Sequence, residues 1–393
     1  MSRDVSSLQA ARAGYVPHLP AVLRGDAQRV ELGERTAPSS DAEAIAALFP
    51  QTIGQPMARL VPAEPTPATR PLHVGVVLSG GQAPGGHNVI AGLFDALKSL
   101  HPDSVLLGFL KGPAGVIKGQ YVELTAEFIE PYRNTGGFNM IMSGRDKIET
   151  PDHLAACLAN FQQLELDGLV IVGGDDSNTN AAVLAEYLRA EGSSTVVVGV
   201  PKTIDGDMKN EQIEASFGFD TACKVYSELI GNIARDATSA VKYWHFIRLM
   251  GRAASHVTLE CALQTQPNVT LISEQVEADG ETLAAVVERI ANVVVERAKA
   301  GRHYGVLLVP EGIIEFMPDL QTLVRELQDI LHKNEAYLRS IDTHTERFQF
   351  VINELSAGAA QSYAAMPRSV QEVLLTSDSH GNIPLSQVET ERL

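Results

Sequence analysis

Apolar residues in this chain come in short runs separated by stretches of helical spacing. Runs at 73–79, 105–109, 168–172, 195–200, 244–249, 269–272 and 305–309 are rich in Val, Leu and Ile and predict strands. They are continuously apolar rather than alternating, the pattern of strands covered on both faces. The segments 87–100, 151–163, 179–191, 219–235, 253–265 and 281–300 place apolar residues three and four apart and predict helices. Alternation of this kind predicts an α/β fold of doubly wound, mostly parallel sheets with helices on both faces. From 317 to 365 the pattern changes. Leu320, Leu323, Leu327, Leu331 and Leu338 keep helical spacing with no strand between them, which predicts a helical insertion. Before residue 71 lies an extension, with a short helix predicted over Ala42 to Phe49 and a proline-rich connector from Pro62 to Pro71. The organisation predicted is an extension over 1–70, an α/β domain over 71–240, part of a second over 241–316, and the insertion with the chain end over 317–393.

Bulk properties narrow the function classes. A chain of 393 residues has room for two domains, and 45% hydrophobic with 20% charged residues is ordinary for a globular protein. A net charge of -17 argues against a general nucleic-acid binder, so attraction for a phosphate must come from particular Lys and Arg residues. Cys157, Cys223 and Cys261 are widely spaced and form neither a metal motif nor a disulfide framework, which fits a reducing, cytoplasmic compartment. The polar N-terminus has no apolar signal core, and no apolar run approaches the ~20 residues of a membrane span, so no membrane partner is expected.

Candidate chemistry collects where predicted strands end, which is where α/β sheets bind ligands. The run Val200-Pro201-Lys202-Thr203-Ile204-Asp205-Gly206-Asp207 crowds a lysine, a hydroxyl and two carboxylates beside a glycine. Lysine can hold a phosphate and a carboxylate can take a proton; an ordinary surface turn with a Lys–Asp ion pair is the alternative. Gly173-Gly174-Asp175-Asp176 offers two carboxylates for a hydrated Mg2+, or simply helix caps. Ser79-Gly80-Gly81 to His87 reads as a strand, a glycine-rich loop and a helix start. It suits a phosphate, or is a tight turn, and matches neither the P-loop nor the dinucleotide fingerprint. Met250-Gly251-Arg252 and Pro310-Glu311-Gly312 end two further strands, with Arg for a phosphate and Glu for hydroxyls, or as surface charges. Ser143-Gly144-Arg145-Asp146-Lys147 adds two cations, or a solvated charge cluster. Taken together and in order, these describe a site for phosphoryl transfer.

In that order the motifs resemble the phosphofructokinase family over roughly residues 73–315, and most closely its long, pyrophosphate-dependent branch, which also has an N-terminal extension and a helical insertion. ATP-using members typically carry Gly where this chain has Asp176, and lack the lysine found here as Lys202. The resemblance implies reversible phosphoryl transfer from pyrophosphate to the 1-hydroxyl of fructose 6-phosphate. It implies Asp205 as general base, with Lys202 and Asp176 beside it at the reacting end. Gly81, Arg145 and Lys202 would hold pyrophosphate, and Asp175 would organise Mg2+, the one cofactor implied. Thr203, Ile204 and Asp205 would line the sugar, and Met250, Gly251, Arg252 and Glu311 would bind it. Lys242 and Tyr243 would reach its 6-phosphate from a neighbouring subunit of a homo-oligomer, a homodimer. A carboxylate at Asp176 would repel the α-phosphate of ATP. The family's Tyr-x-x-Arg motif after the insertion is not found here, so the second of two similar domains is expected to be incomplete, with turnover weak and pyrophosphate bound better than the sugar. An ATP-dependent phosphofructokinase, a lipid or nicotinamide-cofactor kinase, and a non-catalytic regulatory subunit are the alternatives.

Overall fold

The computed structural model describes residues 6–16, 18, 23, 28–64, 70–211, 213, 214, 216–376 and 383–392. The chain divides into two compact units, Met1–Thr203 and Ile204–Leu393. The division falls inside the Lys202-to-Asp207 run, upstream of the boundary at 240 expected from the pattern. The long helix over 219–240 is the reason: its apolar face packs on the second sheet.

In the first unit the extension carries helix α1 (Ser7–Ala13), strand β1 (Gln28–Arg35), helix α2 (Ala42–Leu48) and strand β2 (Pro56–Pro62). β1 and β2 form an antiparallel pair that the apolar pattern did not announce, because β1 is exposed along its whole length. The turn after α2 is held to the unit by Glu186, whose carboxylate accepts from Gln51 N and Thr52 N. The main sheet contains β3 (His73–Leu78), β4 (Val105–Phe109), β5 (Tyr121–Glu123), β6 (Gly168–Gly173) and β7 (Val196–Pro201), in the order β5-β4-β3-β6-β7. All neighbours are parallel except the short edge strand β5. Helices α3 (Gly86–Leu100), α4 (Pro113–Lys118), α5 (Ala126–Ile129), α6 (Pro151–Gln163) and α7 (Asp175–Ala190) complete the unit. Alternate residues explain the two-sided cover. Val77, Leu107, Phe109, Leu169 and Ile171 pack with Val116, Phe161, Leu184 and Leu188 of α4, α6 and α7. Val76, Leu78, Leu106, Val170 and Val172 are buried on the other face, the side of α3.

The second unit has helix α8 (Phe219–Ala240), strand β8 (Tyr243–Leu249), helix α9 (His256–Thr265), strand β9 (Val269–Thr270), helices α10 (Ser273–Ala278) and α11 (Leu283–Lys299), and strand β10 (Tyr304–Pro310). The strands form a parallel sheet ordered β8-β10-β9. Strand β10 shows why both faces are covered: Val306 and Leu308 pack with α8 and α9, while Leu307 and Val309 join the larger cluster on the other side. That cluster is built with helices α12 (Pro318–Ser340), α13 (His344–Glu354), α14 (Ala357–Ala365) and α15 (Arg368–Leu374). The heptad-like leucines Leu320, Leu323, Leu327, Leu331 and Leu338 are all buried in it, as the helical insertion requires. Several elements of this unit depart from their expected bounds. α9 starts at His256 rather than 253, since Gly251 turns the chain at φ 122°. The segment 269–272 pairs over two residues only, and the helix expected over 281–300 is preceded by a separate turn of helix, α10. Among the described residues no helix is long and apolar enough to cross a membrane.

Candidate active site

In the first unit the ends of β3, β6 and β7 meet the glycine-rich loop. Gly80 takes φ 82°, open to a residue without Cβ, and its N–H donates to Gly144 O at 2.8 Å. This brings the Ser79-Gly80-Gly81 turn beside the Gly144-Arg145 turn, and a Cβ on Gly81 would sit 3.3 Å from Arg145 Nη2. Lys202 leaves β7 with its N–H on Gly173 O and its side chain buried. Its Nζ donates to Gly81 O at 2.6 Å and lies 5.5 Å from the centre of the Phe138 ring. Thr203 is buried beside it. Four of the residues singled out from sequence, Gly81, Arg145, Lys202 and Thr203, thus fall in one neighbourhood of one unit.

Asp175 and Asp176 stand elsewhere in local structure than the turn expected for them. They are the first two residues of α7, four residues ahead of the predicted helix start, with Gly174 as N-cap. Carboxylates are favoured in a first helical turn, which is why the helix extends back to include them. Both are exposed and neither has an ion-pair partner among the described residues. Asp176 lines a cleft of about 250 Å³ with Ser79, Gly80, Arg145, Lys147 and Asn180. Asn180 and Ser177 fix that wall: Ile148 N donates to Asn180 Oδ1, and Ser177 Oγ donates to Ser79 Oγ. No group of three or more His, Cys, Asp or Glu side chains suited to a metal exists among the described residues. The donor set on offer is a carboxylate or two with open coordination sites, the kind that suits Mg2+ sharing phosphate oxygens and water.

The second unit assembles the other set. β8 and β10 run side by side with Leu249 opposite Pro310, so the Met250-Gly251-Arg252 and Glu311-Gly312 turns are neighbours. Gly251 N faces Glu311 Oε1 at 3.4 Å, and a Cβ on Gly312 would lie 1.8 Å from Arg252 O, a contact only glycine allows. Met250 and Arg252 are exposed. The far end of this loop is tied down by Ser255, whose N–H donates to Glu274 and whose Oγ accepts from Ser273 N. Ile204 and Asp205 are half-buried in the turn that opens the unit. Burial, then the charge of Asp205, and further that of Glu311, push the Tyr226 phenol above its ordinary pKa. Asp207 Oδ1 is buried with no hydrogen-bond partner among the described residues.

Lys242 and Tyr243, expected to serve a neighbouring subunit, lie away from the turns of their own unit. They precede β8 or begin it, whereas Met250 follows its end; at ~3.3 Å per residue the strand separates them by roughly 20 Å. Both are exposed, and Lys242 Nζ rests 4.9 Å from the Tyr243 ring centre. Sequence reasoning gave Asp207 only as one of the two carboxylates of its turn and missed Tyr226; it gave no role to His87, which holds the 135–140 loop, or to Phe138 of that loop, whose ring lies under Lys202 Nζ. The pair Gly136-Gly137 was the one available signal for the latter.

A phosphofructokinase family model matches residues 73–360, spanning both sets of turns. The chain belongs to the phosphofructokinase family. Among its relatives, a pyrophosphate--fructose 6-phosphate 1-phosphotransferase of Treponema pallidum (strain Nichols) is 52% identical over 402 residues, covering 99% of this chain and 70% of that protein. One of the same name from Porphyromonas gingivalis is 53% identical over 389 residues, with the same 99% and 70% coverage. Among solved structures, phosphofructokinase from Saccharomyces cerevisiae superposes with a TM-score of 0.52 at 20% identity, over 63% of this chain and 34% of that one, which supports the fold.

Proposed function

We propose that this phosphofructokinase family member transfers a phosphoryl group reversibly between pyrophosphate and the 1-hydroxyl of fructose 6-phosphate. The relatives matched over 99% of the chain carry the name of that activity. The observation that carries the donor choice is the buried Lys202 ammonium, held at the carbonyl of Gly81, with Gly80 of the same loop lining a cleft with the exposed Asp176. A short diphosphate can take both charges of Lys202 and Arg145 without passing Asp176. The α-phosphate of a nucleotide would meet that carboxylate, and like charges held close discriminate by several kcal/mol.

In this reading Asp205 accepts the proton of the 1-hydroxyl as its oxygen attacks the terminal phosphorus. The bridging P–O bond breaks, and the departing phosphate stays on Lys202 and Arg145 until it is released. Gly81 offers its backbone to the donor. Asp175 would hold Mg2+, which when bound supplies neutralisation of the diphosphate charge. Thr203 and Ile204 line the sugar, Glu311 and the Met250-Gly251-Arg252 turn bind its hydroxyls and phosphate, and Arg252 keeps its guanidinium exposed for that purpose. Positioning and charge neutralisation supply most of the catalysis in such transfers.

The reading includes a cytoplasmic homo-oligomer, a homodimer, in which Lys242 and Tyr243 serve a neighbour's sugar-phosphate site. Val241 (φ 55°) and Tyr243 (φ 73°) both hold left-handed backbone on either side of Lys242, a strained geometry of the kind kept at functional positions. A coupled assay of fructose 1,6-bisphosphate formation tests the function. Turnover with pyrophosphate and Mg2+ exceeding that with ATP is expected; turnover with ATP alone would overturn the reading.

A further inference from the structure

His87 is 2% exposed at the start of α3, and every hydrogen bond of its ring goes to one loop, residues 135–140. The tautomer follows from the partners. Thr135 gives its hydroxyl proton to Tyr132 O at 2.7 Å, so Thr135 Oγ1 is left to accept from His87 Nδ1–H at 2.6 Å. His87 Nε2 is then a bare lone pair, and it accepts from two backbone amides, Asn139 N and Met140 N, each at 3.0 Å. The imidazole must be neutral to do this. Burial pushes its pKa below the ordinary value, against the opposing pull of Asn139.

The fit around the ring is close. A Cβ on Gly137 would come within 2.4 Å of the His87 ring, and one on Gly86 within 2.3 Å of Phe138. The backbone joins in, with Gly85 N on Gly136 O and His87 N on Gly137 O. The loop is thereby locked to the start of α3, and its aromatic side chain, Phe138, is 2% exposed under the Lys202 ammonium. An aromatic face stabilises a buried cation, and here the ammonium is held between Gly81 O and the Phe138 ring.

We infer that His87 and Phe138 are positioning residues for the phosphoryl donor: neutral His87 locks the 135–140 loop, and Phe138 on that loop fixes where the Lys202 ammonium meets pyrophosphate. This rests on the donor reading given above. Neither residue touches the reacting atoms, and both act through Lys202.

The test is a double-mutant cycle read by calorimetric binding of pyrophosphate with Mg2+ to the full chain. A cation–aromatic contact accounts for about a two- to thirtyfold change in affinity, so Phe138→Leu should weaken pyrophosphate binding within that range. In a Lys202→Met background the same change should have less than about a twofold effect, because the two residues are coupled. His87→Ala should weaken binding similarly, and His87→Gln, which keeps a neutral acceptor, should recover part of it. Unfolding temperatures of each variant without ligand separate a loss of fold from a loss of positioning. Equal effects of Phe138→Leu with and without Lys202 would overturn the proposal, as would unchanged affinity in both Phe138→Leu and His87→Ala. If the unmutated chain binds no pyrophosphate, the donor reading fails and this inference fails with it.

Discussion

Lys202 Nζ donates to the carbonyl oxygen of Gly81 at 2.6 Å, across 121 residues of sequence. The bond ties the turn after the fourth parallel strand of the first unit to the glycine-rich loop after the first. It leaves the ammonium 3.5 Å from where a Cβ on Gly80 would sit, and Gly80 lines a cleft with Arg145 and the Asp176 carboxylate. The proposed donor selectivity rests on that arrangement.

Replacing Asp176 by Gly and Lys202 by Met should therefore move the ratio of kcat/KM for pyrophosphate and ATP by orders of magnitude. Like-charge juxtaposition with a bound ligand is worth several kcal/mol, and each 1.4 kcal/mol is tenfold. Steady-state kinetics with both donors measure it. An unchanged ratio would locate selectivity elsewhere.

Asp205→Ala should lower kcat by about 10^2–10^4-fold, the usual contribution of a general base, with a modest change in either KM. Rates that stay near those of the parent enzyme would remove Asp205 from the proton transfer. Asp207, whose buried Oδ1 finds no hydrogen-bond partner among the described residues, is the natural comparison in the same experiment.

Gly312→Ala forces a Cβ to within 1.8 Å of Arg252 O, so the Arg252 turn must shift. Overpacking of this kind costs about 1–3 kcal/mol, and the sugar-phosphate affinity should fall while pyrophosphate affinity holds. Gly231→Ala in α8 meets no neighbouring atom and serves as control; it should be neutral or stabilising by up to about 1 kcal/mol. Thermal unfolding with calorimetry of each ligand checks both, and a neutral Gly312→Ala would show that the turn is looser than its packing indicates.

Asp167 joins the starts of β3 and β6. It accepts from His73 N at 2.9 Å and from both terminal nitrogens of Arg70. The Arg70 hydrogen bond, aided by the His73 amide, holds its carboxyl below the usual carboxylate range. A depressed pKa gives stability that is complete above the unfolded value near 4 and lost as pH falls through the folded one. The difference in unfolding temperature between parent and Asp167→Asn should be widest at neutral pH and close as the solution is acidified below about pH 4. A difference independent of pH would mean the ionised form contributes nothing.

The strands and helices with strong apolar runs were legible because burial on both sheet faces demands them: 105–109 and 151–163 are found to the residue. The first-unit site was legible as a set of strand ends, since parallel topology carries those ends to one edge. Residues whose signal is not periodic escaped. β1 is exposed throughout, and its two alternating apolar residues, Val30 and Leu32, are too short a run to betray it. α7 begins at Asp175 because helix ends favour carboxylates, a preference that a search for catalytic acids reads differently. His87 and Phe138 lie 51 residues apart, and nothing local marks either: Phe138 meets Lys202, and the His87 ring meets the 135–140 loop, only once β3, α3, β7 and that loop are folded together.

The most direct test of the account is calorimetric titration of the protein with pyrophosphate and with ATP, each with Mg2+ in the same buffer. A site built around Lys202, Arg145 and Asp176 should bind pyrophosphate at least tenfold more tightly than ATP, with the preference lost in Asp176→Gly, Lys202→Met. Equal or tighter binding of ATP by the unmutated protein would contradict it.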